Sequence, residues 1–133
     1  MSEQPLSSAE ELIRSSDGQP TSSVRTQLAN AMAGLKKQYY GRGPTAAKAF
    51  LEGDYAFVVL EGGLLRHEET MLAMGMDDTV RRHRLEFQAA VETTAVSAAE
   101  ELLGRRVIGY HSQITFRPTR AFEIFVLESH SNG

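Results

Sequence analysis

The sequence predicts an α+β fold in which a four-stranded antiparallel sheet packs on helices, in the order α-ββ-α-α-ββ. Two pairs of apolar, alternating segments are each joined by a short turn, which is typical of β-hairpins. Other segments carry apolar residues three and four positions apart, which is the helical spacing. The 133 residues allow one domain. We expect residues 23–128 to form it, with a mobile arm over 1–22 and a tail over 129–133.

The first helix is predicted to begin after Ser22 or Ser23, because either hydroxyl can accept an unpaired backbone N–H. Gly41 and Pro44 end it. A hairpin follows, with strands over 46–51 and 55–61. The alanines of its first strand also permit a helix, but the adjoining turn and strong strand favour the β interpretation.

The next segments predict helices. A short helix over 64–74 has an acidic side, and we expect Glu68 and Glu69 at its exposed start, where carboxylates suit the helix dipole. One long helix of about 26 residues, or ~39 Å, then runs from Asp77 or Asp78 to Gly104.

Two strands, over 106–116 and 121–128, complete the order, and Pro118 lies in the turn between them. Side chains alternate faces along a strand, so Phe122 and Ile124 oppose Phe125 and Leu127. Apolar groups on both faces are unusual for a sheet with one solvated side. Together with the over-long helix, they favour a homodimer in which a second copy covers one face.

Composition excludes several function classes. The chain contains no cysteine, which excludes disulfides, thiolate nucleophiles and cysteine-ligated metal centres. A formal net charge of −3 gives no reason to expect nucleic acid as a partner. The longest apolar run, residues 55–60, is far shorter than the roughly 20 residues that span a membrane, and the start of the sequence lacks the pattern of a signal peptide. We therefore expect a cytoplasmic protein without direct membrane insertion.

The turn formed by Gly41, Arg42 and Gly43 is the most specific local feature. Arg42 and the turn N–H groups could bind a small anion such as phosphate, bicarbonate or a carboxylate. The structural alternative is a helix C-cap in which Arg42 pairs with an acidic residue. The turn is not a P-loop, because it follows a helix and no Gly-Lys-Ser/Thr comes after it.

The histidines and the remaining arginines give weaker signals. His111 lies mid-strand and could act as a general base or complete the anion site, although a structural role is the simpler interpretation. His67 begins a metalloprotease-like pattern, but Met71 stands where its second histidine belongs, so we predict no metal and no cofactor. A basic cluster on the long helix is either a solvated face or a partner-binding patch. Its candidate residues are Arg81, Arg82 and Arg84.

Four motifs resemble the MpsC-like family. They are Tyr39-x-Gly41-Arg42-Gly43-Pro44, Leu60-x-Gly62-x-Leu64-x-x-x-Glu68, Arg84-x-x-Phe87 and Gly104-Arg105-Arg106-Val107, which together span residues 24–127. The sequence departs from the family pattern at Leu65, where Thr is usual, and at Gln113, where Asp is usual.

The resemblance implies a small cytoplasmic protein, in some genomes encoded near a two-protein membrane system for inorganic carbon uptake, and the family name refers to a cation-linked system. We expect a non-enzymatic accessory or regulatory protein that binds a protein partner, such as a membrane transport complex. The alternative is a module that binds a small anion or nucleotide at Arg42. A third hypothesis is an enzyme that uses His111 with Arg42.

Overall fold

The computed structural model describes residues 23–129, which form helices and one antiparallel sheet in the predicted α+β arrangement. The expectations for the arm over 1–22 and for residues 130–133 lie outside the described residues. The elements are α1 (Val24–Tyr40), β1 (Ala46–Glu52), β2 (Tyr55–Glu61), α2 (Arg66–Ala73), α3 (Asp77–Ala90), α4 (Glu92–Leu103), β3 (Val107–Thr115) and β4 (Arg120–Leu127).

Both predicted ends of α1 are confirmed. The Ser23 hydroxyl accepts a hydrogen bond from the backbone N–H of Thr26, at 3.1 Å. At the other end, Gly41 has a φ of 83° and donates its N–H to the carbonyl of Lys37. A positive φ favours glycine. The left-handed conformation of Gly41 therefore ends α1 and lets the chain turn toward β1.

The single long helix that we predicted is wrong, because the chain breaks it at Val91. This residue has φ −104° and ψ 9°, and it separates α3 from α4. The β-branched residues Val91, Thr93 and Thr94 lie at the break, and such residues are weak helix formers. The break lets α3 pack against β3 while α4 packs against both α1 and β3. Because neither α3 nor α4 is unusually long, helix length no longer supports the predicted homodimer.

The strands are ordered β1-β2-β4-β3, so β2 and β4 are central. We call the side that packs on the helices the inner face. Its buried core residues come from the strands and from α1 and α4. They include Leu28, Met32, Ala49, Ala56, Val58, Leu60, Ala95, Ala99, Phe125 and Leu127.

The opposite side of the sheet, the outer face, has no described helix on it. The cross-strand register assigns its residues, because partners in adjacent strands share a face. Its apolar members are Phe50, Tyr55, Phe57, Val59, Phe122, Ile124 and Val126. Tyr55 is 55% exposed and Ile124 is 36% exposed. The rings of Phe50 and Phe57 stack across β1 and β2 with centroids 4.8 Å apart.

Candidate functional site

The inner face contains a buried polar cluster that joins three helices to the sheet. Lys36 and Tyr40 come from α1, Glu68 from α2 and Arg84 and Gln88 from α3. Tyr110 and Ser112 come from β3 and Glu123 from β4. Charged groups are rarely buried unless they are paired, so each of these side chains needs a partner within the fold.

Glu68 and Arg84 form the first ion pair of the cluster. The Nε and Nη2 atoms of Arg84 donate to the two carboxylate oxygens of Glu68, at 2.7 and 2.5 Å. Glu68 is 2% exposed and Arg84 is 8% exposed. The exposed position that we predicted for Glu68 is wrong, because its carboxylate turns inward to Arg84 and to the backbone N–H of Leu65. Glu69 is exposed as expected.

Arg84 has two further neighbours that fix its guanidinium. Nη2 also donates to the carbonyl oxygen of Gly63, at 3.2 Å. The guanidinium carbon lies 3.9 Å from the centre of the Tyr40 ring, which is within the range of a cation–π interaction. Arg84 therefore ties α3 to α2, to the loop after β2 and to the end of α1.

Lys36 and Glu123 form the second ion pair, with 3.3 Å between Nζ and Oε2. Glu123 is fully buried on the inner face. Tyr110, Ser112 and Gln88 also donate to its carboxylate. Lys36 in turn donates to the side-chain oxygen of Gln88, at 2.5 Å. The carboxylate thus has four donors, which satisfies its hydrogen-bonding capacity.

The surroundings of the cluster shift several pKa values. Burial lowers the pKa of Lys36, against the opposing influence of the Glu123 carboxylate. Burial raises the pKa of Tyr40 to about 12. Burial and then the charge of Glu123 raise the pKa of Tyr110. For Glu68, burial favours the neutral form, but hydrogen bonds from Arg84 and from the Leu65 N–H outweigh it and lower the pKa.

The cluster leaves little room for a ligand. The cavity lined by Lys36, Tyr40, Gln88 and Glu123 has a volume of about 10 Å³, which is the size of one water molecule. Among residues 23–129, no group of three His, Asp or Glu side chains is arranged to hold a metal ion. In this conformation the cluster can fix α1, α2 and α3 on the sheet, and its charges are already paired.

Arg42 lies at the edge of the same region. Its Nη1 atom donates to the carbonyl oxygen of Leu64, at 3.1 Å. Within the described residues it forms no ion pair, so the predicted acidic partner is not observed. A second cavity of about 10 Å³ is lined by Arg42, Lys36 and Arg84 together with Gly62 and Gly63. Three cationic side chains therefore converge beside the Gly41–Gly43 turn.

His111 is not brought to this site. It pairs with Ile124 in the register of β3 and β4, which places it on the outer face, where it is exposed. The cavity beside Arg42 is instead lined by the inner-face residues Leu60 and Ile114. Arg42 and His111 thus lie on opposite sides of the sheet, so the sequence-based grouping of the two does not describe one site.

The three arginines predicted as a basic cluster lie on α3, but they do not form one surface. Arg82 is exposed, and Arg81 is partly exposed beside Asp78, with 2.7 Å between Nη1 and Oδ1. Arg84 points inward to Glu68. Arg84 is only 8% exposed, so it cannot contribute to an exposed partner-binding patch. The expectation of one surface built from all three is therefore corrected to Arg81 and Arg82.

Sequence reasoning missed most of the buried polar cluster. Lys36, Gln88, Tyr110, Ser112 and Glu123 were not singled out. One signal was available for Glu123, which alternates in phase with Phe125 and Leu127 along β4. A charged residue in phase with core positions predicts a buried partner, but its partner Lys36 is 87 positions away and carries no matching signal.

Comparison with known protein families identifies the family of this chain. Residues 21–129 match the model of the family described as "Na+-translocating membrane potential-generating system (MpsC)". The match covers well over half of the sequence. The chain belongs to the MpsC family. This confirms the resemblance inferred from the four motifs, all of which lie within the matched residues.

No curated protein and no solved structure matches this MpsC-family chain. The family description concerns a membrane system. Within residues 23–129, however, no helix is both long enough and apolar enough to cross a membrane.

Proposed function

We propose that this MpsC-family protein is a non-enzymatic accessory protein that acts by binding protein partners at the cytoplasmic side of a cation-linked or inorganic-carbon membrane transport system. The observation that carries the proposal is the outer face of the sheet. Four central-strand side chains, Phe57, Val59, Phe122 and Ile124, form its apolar centre; Ile124 is 36% exposed and the other three are half-buried. Contiguous apolar surface of this kind marks protein interaction sites.

The charged interior supports the same proposal. Each ion pair of the buried polar cluster is internally satisfied, and each adjoining cavity has room for about one water molecule. Such networks rigidify a fold and specify one arrangement of its elements. A rigid sheet with an apolar outer face is suited to present a preformed interface.

The test is co-purification of the tagged full chain with the membrane proteins of the system, using wild type and two arginine variants. Ile124→Arg places a charge at the centre of the outer face. Val24→Arg is the matched control, because Val24 is 39% exposed against 36% for Ile124 and lies on α1. We expect Ile124→Arg to lose capture and Val24→Arg to keep it. Equal capture by both variants, or none by wild type, would contradict the proposal.

A second candidate function is small-anion binding at Arg42. Its support is the convergence of Arg42, Lys36 and Arg84 on one cavity, where only Arg42 has no described carboxylate partner. Calorimetric titration with phosphate, bicarbonate and a nucleotide tests it. Binding heat that disappears in Arg42→Ala supports this candidate, and the absence of heat with all three anions rejects it.

A further inference from the structure

The outer face has an apolar centre and a charged rim. The apolar side chains lie on the central strands β2 and β4, apart from Phe50 on β1. The rim is formed by Lys48 and Glu52 on β1, by Glu61 and Arg120 at the end where β2 and β4 pair, and by the polar His111 and Gln113 on β3. All of these residues are exposed. Protein interfaces commonly combine an apolar core with a polar rim.

We propose that a second copy of this chain covers the outer face, so that two four-stranded sheets pack face to face with the helices outside. The inference rests on the proposed function, which makes this face a protein interface, and it names the partner. Sheets packed in this way lie about 10 Å apart with interdigitated side chains. The system's membrane proteins would then bind the dimer elsewhere, and Ile124→Arg would lose their capture because it separates the two copies.

The charges on the rim favour a second copy of the same chain as the partner. Lys48 and Arg120 are positive, whereas Glu52 and Glu61 are negative, so these four charges sum to zero. Glu61 and Arg120 are neighbours, with 3.8 Å between Oε2 and Nε. Two identical faces can therefore approach without net repulsion. A partner of strong single-sign charge would be matched by a rim of the opposite sign.

The size of the face also fits a dimer. Four strands about 4.8 Å apart and seven to nine residues long at about 3.3 Å per residue give a flat area of roughly 450 Å². Side-chain relief increases the accessible area above this value. Two such faces have about 900 Å² of flat area, so with side-chain relief the dimer reaches the lower limit of roughly 1,000 Å² for a specific interface.

Sedimentation equilibrium of the full chain at about ten micromolar tests the inference directly. We expect wild type to have twice the 14.7 kDa mass of one chain. Ile124→Arg should be monomeric, and Val24→Arg should remain dimeric. Tyr55→Arg provides a second outer-face variant, and because Tyr55 is already 55% exposed we expect a monomer to tolerate its replacement. It should weaken the dimer at least tenfold.

A monomeric wild type overturns the inference, as does a dimer that Ile124→Arg and Tyr55→Arg leave intact, since that dimer would use another surface. The two proposals fail separately. If wild type is monomeric but Ile124→Arg still loses capture of the membrane proteins, a different protein occupies the outer face and the proposed function stands. If wild type is monomeric and capture is unchanged in Ile124→Arg, both proposals fail.

Discussion

At the scale of single residues, the two carboxylates of the buried polar cluster contribute to stability because each neutralises a buried cation. Glu68 pairs with Arg84, and Glu123 pairs with Lys36. A buried ion pair adds little net stability compared with apolar residues, but removal of one partner leaves an uncompensated charge. Substitutions in the buried polar cluster should therefore be far more destabilising than those at exposed acidic positions nearby.

Glu68→Gln tests this expectation. The amide keeps the shape of the side chain but removes its charge, so Arg84 remains buried without a counter-ion. We expect the free energy of unfolding to fall by about 3–5 kcal/mol. Glu69→Gln, one position along and exposed, should change it by less than about 0.5 kcal/mol. Urea denaturation of both variants measures the difference, and similar midpoints would show that the pair is not structural.

The same pair gives a pH dependence. Arg84 and the Leu65 N–H hold the pKa of Glu68 below its ordinary 4.5, although burial opposes this. As the pH falls, the unfolded chain takes up this proton first, so the stability that Glu68 contributes above pH 4.5 is lost as the pH drops through the folded-state pKa. The stability difference between wild type and Glu68→Gln should be largest near pH 7 and shrink below pH 4. A difference that stays constant down to pH 3 would contradict this.

At the scale of elements, periodicity and turn residues predicted the strands, both ends of α1 and the Gly104 end of α4. The segment 46–51 could have been a helix by propensity, and its neighbouring turn correctly indicated β1. The break at Val91 was not predicted, because no glycine or proline marks it and it accompanies long-range packing, in which both helices contact β3 but α4 also contacts α1. The inward turn of Glu68 was missed for a similar reason, since its partner Arg84 lies on another helix.

The loop after β2 contains Gly63, whose backbone conformation and close neighbours restrict which residues can replace it. Gly63 has a φ of 84°, and a Cβ there would lie 3.3 Å from the carbonyl oxygen of Gly43. Gly63→Ala should therefore destabilise the fold by about 1–3 kcal/mol. Gly34→Ala should stabilise it by about 0.5–1 kcal/mol, because Gly34 lies within α1 with open space around it. Thermal unfolding followed by circular dichroism compares the two, and changes of the same sign would refute the argument.

At the scale of the whole molecule, the sequence predicted the two-faced apolar sheet and the structure shows which face the helices cover. Alternation along β4 separates Phe122 and Ile124 from Phe125. It does not show which set faces the helices, because that depends on α1 and α4, which are distant in sequence. The Arg42 turn was recognisable from its glycines, whereas its convergence with Lys36 and Arg84 required the fold.

The proposed dimer makes thermal stability depend on protein concentration. A partner that binds only the folded chain stabilises it by mass action, and a hundredfold rise in concentration contributes about 2.7 kcal/mol per dimer. One kcal/mol moves the Tm of a domain of about 100 residues by roughly 4–8 °C. The Tm of wild type should therefore rise by about 5–10 °C between 1 and 100 micromolar, as measured by scanning calorimetry.

Ile124→Arg is the informative comparison for this concentration series. With a charge at the centre of the outer face, it should unfold at the same temperature across the whole range, and this temperature should lie at or below the lowest wild-type value. Val24→Arg should follow wild type, because it changes an equally exposed apolar residue on α1. A wild-type Tm that does not change with concentration would mean that the uncovered sheet is stable without a second copy.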